Sequence, residues 1–261
     1  MLTGSCWAVF WWQYLIAGSD PVRFFVLSVF ASILIAASFI DLRWYIIPES
    51  INAWLLVLGL GYNVYLISQG LPAAWVEVGG IQVPSAVAGA ILGVGVYWLI
   101  AFFGLSLFKK DALGHGDILL ARGIGAVLFP MTAGISFGLS VLVGTVFGIL
   151  QIAIRPKNEP EVEQGEEDGD YEPETIGGLA KCGLGYLLWF DVIALFSPKF
   201  DKAWFGVEPQ TSEEPEEEWV PGSTHIPFGP YLAMGALLAA IFQPQLTGLF
   251  EQYWKWATGG G

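Results

Sequence analysis

Long apolar runs separated by short polar breaks fill most of this chain of 261 residues. Leu2 to Ala17 is apolar and rich in Trp and Tyr, just long enough either to cross a bilayer or to lie at its surface. Gly18-Ser19-Asp20-Pro21 marks a turn, and Phe24 to Ile40 is a full span ending at Asp41. The polar hairpin Asp41 to Ser50 follows, with Pro48 placed for a break or a first helical turn. Ile51 to Ser68 spans again, and Gly70 to Val83 reads as a loop without Lys or Arg. Pro84 to Phe108 is a long span holding Gly89, Gly93 and Gly95. Small residues let helices approach closely in lipid, so these glycines are expected at a helix contact. Lys109-Lys110-Asp111 closes that span. Asp117 to Phe129 is the next apolar stretch, Pro130 breaks it, and Gly134 to Ile154 spans again. Ile176 to Phe196 is apolar but holds Lys181 and Asp191, which fits a span or an interfacial helix. Pro227-Phe228-Gly229-Pro230 opens a last span to about Phe242, and Trp254 and Trp256 beside Lys255 read as an interfacial anchor.

Backbone groups in lipid must be satisfied within the chain, so these runs are expected as helices. The fold class expected is all-α: a polytopic membrane bundle of six to eight helices. Composition agrees, at 54% hydrophobic and 13% charged residues. The net charge of −13 is concentrated, because residues 155–226 hold 17 of the 24 acids and 5 of the 11 bases. Within that stretch, 158–176 and 208–222 carry acids, Pro and Gly with little apolar surface and read as flexible linkers. The expected organisation is a membrane core over 1–154, an acidic insertion over 155–226 with one apolar segment at 176–196, a final core helix over 227–243, and an interfacial tail over 244–261. Nucleic-acid binding needs basic surface, so this charge balance excludes it. Cys6 and Cys182 form no CxxC pair and read as packing residues. No Lys or Arg precedes Arg23, so the start lacks the basic region of a cleavable signal peptide.

Candidate chemistry lies at the ends of two runs. Gly114-His115-Gly116-Asp117 is a glycine-rich turn that delivers a carboxylate to the start of an apolar stretch. Such an acid is costly to desolvate and marks a functional site by default. Gly114 and Gly116 permit conformations and close approaches that side chains block. Asp41 stands in a similar setting. Placing both acids on the cytoplasmic side also puts Arg43, Lys109, Lys110, Arg122, Arg155 and Lys157 inside or at that face, with Arg23 and Lys255 outside. Two nearby carboxyls share a proton, so one activates water while the other, protonated, polarises a carbonyl. Arg43 and Arg122 read first as snorkelling interfacial cations and second as substrate contacts. His115 reads as a solvated turn residue, Glu49 as a helix start suited to the dipole, and Asp191 as the polar edge of an interfacial helix.

These residues resemble the type IV prepilin peptidases, membrane aspartic proteases of the GxGD kind. Ile40-Asp41 with Ile47-Pro48 is similar to the family's first aspartate and its trailing Ile-Pro. Gly114-His115-Gly116-Asp117 with Ile124-Gly125-Ala126 is similar to the second catalytic motif. Ile226-Pro227-Phe228-Gly229-Pro230-Tyr231-Leu232-Ala233 is similar to the opening of the family's last helix, and Leu2-Thr3-Gly4, more weakly, to the start of an earlier one. The resemblance covers roughly 1–154 and 226–243. It implies Asp41 and Asp117 as catalytic residues, with Gly114, Gly116, Arg43, Arg122 and Pro48 as substrate-binding or supporting residues. It implies no cofactor and no metal, a prepilin or pseudopilin helix and membrane lipid as partners, and a place in the bacterial inner membrane.

The chain departs from the family in places. The Lys that usually follows GxGD is missing: Ile118 and Leu119 stand there, and Arg122 is the nearest replacement. The cysteine-rich zinc region of the longer members is absent from this sequence, so methylation of the new pilin N-terminus is not implied. Two other readings share the paired acids: a non-catalytic pilin-binding relative, and a proton-coupled transporter. The glutamate run Glu213 to Glu218, if cytoplasmic, would attract a basic leader peptide.

Overall fold

The computed structural model describes residues 1–109, 113–154, 175–206 and 227–257. The glutamate run, most of both acidic linkers, Lys110, Asp111, Arg155, Lys157 and Ile226 lie outside the described residues. Helices dominate. α1 (Leu2–Trp11) continues through a π-helical turn (Trp12–Ile16). α2 (Pro21–Trp44) has Pro21 in its first turn, and the Asp20 side chain accepts the Arg23 backbone N–H at 2.9 Å. α3 (Glu49–Ser68) begins with Glu49 in its first turn, as its charge favours. α4 (Ser85–Phe108), α5 (His115–Ile154), α9 (Gly229–Ile241) and α10 (Gln243–Ala257) complete the main bundle, and α6 (Ile176–Leu187), α7 (Phe190–Ala194) and α8 (Pro198–Trp204) lie between. The four helices α2 to α5 are long and apolar enough to cross a membrane.

α5 is not one rod. Phe129 has φ 64° and ψ 166°, and Pro130 follows it. Proline brings no N–H, so the break leaves one fewer donor to satisfy. The contacts give the direction of each limb. Along 115–128, Ala121 faces Gly93 and Gly125 faces Gly89, so this limb runs antiparallel to α4. Along 130–154, Gly134 lies by Leu92 and Phe137 meets Tyr97 edge-on at 5.2 Å, so this limb runs back beside α4. The expected break at Pro130 is therefore a hairpin.

The first limb is the centre of the bundle. Every residue from 118 to 128 is buried, as fits a stretch that is apolar on every side except at Arg122. Its neighbours come unusually close. A Cβ on Gly89 would collide with the Gly125 carbonyl, one on Gly93 with the Ala121 carbonyl, and one on Gly59 would lie 2.5 Å from the Ala126 carbonyl carbon. Two of the three glycines expected at a helix contact are there; Gly95 faces open space. On the other side, α9 packs on the second limb, where a Cβ at Gly235 would run into the Ser136 and Ser140 backbone.

One expectation is corrected and one open alternative is narrowed. The stretch 70–83 contains an antiparallel hairpin, β1 (Trp75–Val78) and β2 (Ile81–Pro84), so the fold is not purely α. Gly79 and Gly80 both have positive φ, the turn that matches strand twist in a two-residue hairpin. The segment 176–196 does not form one spanning helix. α6 has 12 residues, and the chain turns at Trp189, whose φ is 60°. A span needs about 20 residues.

The glycine contacts lead to a prediction. Gly89→Ala and Gly125→Ala each force α4 and α5 apart and are expected to destabilise by about 1–3 kcal/mol, read as a fall in thermal midpoint in detergent. Gly95→Ala, with nothing within 4 Å of its added Cβ, leaves the midpoint unchanged.

Candidate active site

Asp41 lies one turn before the end of α2, and its carbonyl accepts the backbone N–H of Tyr45 at 2.8 Å. Tyr45 takes a left-handed conformation, which stops the helix and turns the chain into Ile46-Ile47-Pro48. Asp41 is 5% exposed, and its carboxyl accepts the Gly229 backbone N–H at 3.0 Å. Gly229 opens α9, so the carboxylate meets a helix start, where unsatisfied N–H groups favour negative charge. Only glycine fits: a Cβ there would stand 2.5 Å from Asp41 Oδ2.

Asp117 is half-buried in the first turn of α5, and its backbone N–H donates to the Gly114 carbonyl at 3.1 Å. Gly116, the residue before Asp117, packs on Ile47, and Ile47 also borders Gly229, whose N–H holds Asp41, so the two acids, from different helices, come to one junction. Ile47 holds the junction. It is buried, a Cβ on Gly116 would lie 3.3 Å from its own Cβ, and its Cδ1 sits beside Gly229. Pro48 is the N-cap of α3, and a proline there restricts the backbone of Ile47 before it to extended conformations. Gly114 and Gly116 do not use positive φ; what Gly116 supplies is the close approach to Ile47.

Tyr97 closes the site from α4. It is fully buried, and its ring contacts Phe137 and Phe228, the residue before Gly229. Asn52, in the first turns of α3, is also buried, and its side-chain N–H reaches toward the Gly116 carbonyl at 3.5 Å. Neither residue is singled out by the sequence: Tyr97 sits inside an apolar run far from the aspartate motifs, and Asn52, four residues after Pro48, reads as the polar start of the next run. Ile47 and Gly229 belong to motifs quoted above, yet the resemblance assigned neither a role. Among the described residues no three His, Cys, Asp or Glu side chains gather as a metal site.

The two arginines separate. Arg43 is exposed, with its guanidinium 4.8 Å from the Trp44 ring centroid, as an interfacial cation would be. Arg122 is neither snorkelling nor placed to touch a substrate directly. It is fully buried, donates from Nη1 to Asp191 Oδ1 at 2.7 Å and from Nη2 to Asp191 Oδ2, and also donates to the Tyr186 carbonyl at 3.0 Å. A guanidinium facing the bundle interior needs such a forked partner, which explains both positions. Asp191 is therefore an internal counter-ion and not the edge of an interfacial helix. Lys181 instead donates to the Ala203 carbonyl and lies over the Trp204 ring. His115, expected in solvent, is half-buried and hydrogen-bonded through Nδ1 to the Tyr186 hydroxyl at 2.9 Å.

The ion pair predicts a stability pattern. Asp191→Leu leaves Arg122 charged and uncompensated and is expected to cost about 3–5 kcal/mol. Combining it with Arg122→Met removes the orphaned charge and recovers most of that loss. Unfolding midpoints in detergent for the single and double variants check it.

The chain is similar to known proteins along most of its length. A family model described as the type IV leader peptidase family matches residues 28–149. The prepilin leader peptidase/N-methyltransferase of Myxococcus xanthus is 30% identical over 258 residues, covering 95% of this chain and 69% of that protein. That of Aeromonas salmonicida is 34% identical over 162 residues, 62% of this chain and 48% of that protein. That of Escherichia coli is 25% identical over 174 residues, 67% of this chain and 68% of that protein. The chain thus spans about two thirds of the first and about half of the second. No solved structure matches the chain. With Asp41 and Asp117 both inside the matched region and the Myxococcus protein aligned almost end to end, the chain belongs to the type IV leader peptidase family.

Proposed function

We propose that this chain is a membrane aspartic endopeptidase that removes the leader of type IV prepilin-like proteins at the cytoplasmic face of the bacterial inner membrane. What supports the reading most is the convergence of the end of α2, the start of α5 and the start of α9 on Ile47, with Asp41 held by the Gly229 N–H and Asp117 next to Gly116, which packs on Ile47. The names of the relatives supply the substrate class. Residues 1–154 and 227–243 are the catalytic core, with α1 to α4, both limbs of α5, and α9 embedded in the membrane. Arg43 and Lys109, the C-cap of α4, are basic residues at the Asp41 end of the bundle, which supports a cytoplasmic orientation for that end.

The chemistry follows from two carboxyls sharing one proton in a low-dielectric site. The ionised acid takes a proton from water as that water attacks the carbonyl carbon of the scissile bond. The protonated acid gives its proton to the carbonyl oxygen, forming a neutral tetrahedral diol. The proton gained from water then passes to the leaving amine as the carbon–nitrogen bond breaks, and the diol's proton returns to the acid that gave it. Gly229 fixes the Asp41 carboxyl through its N–H, which a free carboxylate in water would lack. Gly114 and Gly116 keep the Asp117 turn slim, Pro48 restricts the backbone of Ile47, and Arg43 supports the α2–α3 corner at the membrane surface.

Asp41→Asn and Asp117→Asn keep shape and lose the exchangeable proton. Each is expected to lower cleavage of a prepilin-like substrate by about 10²–10⁴-fold, with insertion and thermal midpoint intact. The double variant is no worse than either single, because the pair acts as a unit. Substantial activity in either single variant sinks the mechanism. Gly229→Ala displaces the Asp41 carboxyl and is expected to cost about 10²-fold in kcat, measured by the same gel assay.

A further inference from the structure

The α6–α7 segment lies beyond residues 28–149, the part the family model matches, yet it grips the limb that carries Asp117. It does so twice. Asp191 binds Arg122 through both carboxylate oxygens, and the Tyr186 hydroxyl bonds His115. His115 and Arg122 are seven residues apart, so on an α-helix they lie within about 20° of one face. Asp117 is five residues from Arg122, which turns it about 140° away from that face. The grip is therefore on the back of the limb, and Asp117 projects from the side opposite to it.

The gripping segment is itself anchored. Trp98 Nε1 donates to the Leu179 carbonyl at 2.9 Å, and Gly183 lies against the same indole with no room for a Cβ. The Tyr186 ring stacks on Phe205 with an interplanar angle of 15°, and Gly185 packs against Trp204. Arg122 is tied also to the Tyr186 carbonyl, so one guanidinium joins α5, α6 and α7. A forked ion pair holds one rotation and one depth, whereas an apolar contact of equal area allows sliding.

We infer that α6–α7 is a positioning unit of the active site, in which Asp191 and Tyr186 set the rotation of the Asp117 limb and so the direction in which Asp117 faces Asp41. This rests on the reading of those two acids as the catalytic pair. Asp191, Arg122, Tyr186 and His115 are positioning residues that act through Asp117 and touch no reacting atom.

The test uses the purified full chain in liposomes and a prepilin-like substrate with a basic leader, Gly before the cleavage point and an apolar helix after it. Thermal midpoint, kcat and KM are measured for the natural chain, for Asp191→Leu, for Arg122→Met with Asp191→Leu, and for Tyr186→Phe. The double variant is expected to regain most of the midpoint lost in Asp191→Leu while kcat stays lower by about 10-fold or more, since small misplacements cost up to about 10²-fold. KM moves by less than about twofold, because the substrate surface is untouched. Tyr186→Phe, which removes one hydroxyl, keeps the midpoint and lowers kcat about threefold, the effect of one lost hydrogen bond at this distance from the chemistry. A double variant that regains both midpoint and kcat overturns the inference and leaves the ion pair a structural tie. If neither Asp191 variant folds, Tyr186→Phe decides: unchanged kcat overturns the inference. A natural chain that folds but does not cut fails the peptidase reading itself, separately from the role of α6–α7.

Discussion

The fold depends on how closely other helices can approach the 115–128 limb. That limb is surrounded: α4 touches it through Gly89 and Gly93, and α3 through Gly59 and Leu55. In lipid there is little hydrophobic gain from bringing apolar helices together, so contact of backbone with backbone supplies the attraction. The Gly89–Gly125 contact sets the distance between α4 and the limb, and with it the depth of Asp117. A carboxyl that must meet another from a separate helix tolerates little slack. The glycines far from the chemistry therefore hold it in place as much as those of the GxGD turn do.

Around this axis, residues of different kinds do one job. Ile47 is wedged between Gly116 and Gly229, Phe228 reaches Tyr97, and the Gly229 N–H holds Asp41. Chain turns that look unrelated in sequence thus converge on one small volume. α2 contributes its last turn, α5 its first, and α9 its N-terminal edge. The acids are joined by the apolar and backbone groups that exclude alternative positions for them.

Much of this was legible beforehand, and the reasons for the rest are physical. Asp41 and Asp117 announce themselves because charge at the end of an apolar run is rare and costly. Pro130 announces a break because proline cannot continue a helix, although its sequence does not say whether the chain bends or reverses. The hairpin at Trp75–Pro84 was missed for want of length: each strand has four residues, too few for a period, though Gly79-Gly80 between them was a usable signal. The Arg122–Asp191 pair was hidden because its members are 69 residues apart and neither motif nor helical spacing links them. Each alone looked like a surface residue, and only their mutual neutralisation permits their burial.

That separation along the chain has a consequence for how the protein is made. Arg122 emerges from the ribosome well before Asp191, and Asp41 long before Gly229, 188 residues later. Until those later segments arrive, the limb 115–128 carries an unmatched cation into lipid and the Asp41 carboxylate lacks its N–H partner. The early bundle of α1 to α4 can settle first, on local contacts. The centre that carries the two acids is completed only after Gly229, 188 residues beyond Asp41, has been synthesised. Assembly order thus keeps the proposed proteolytic site unfinished inside a growing membrane protein until α9 is in place.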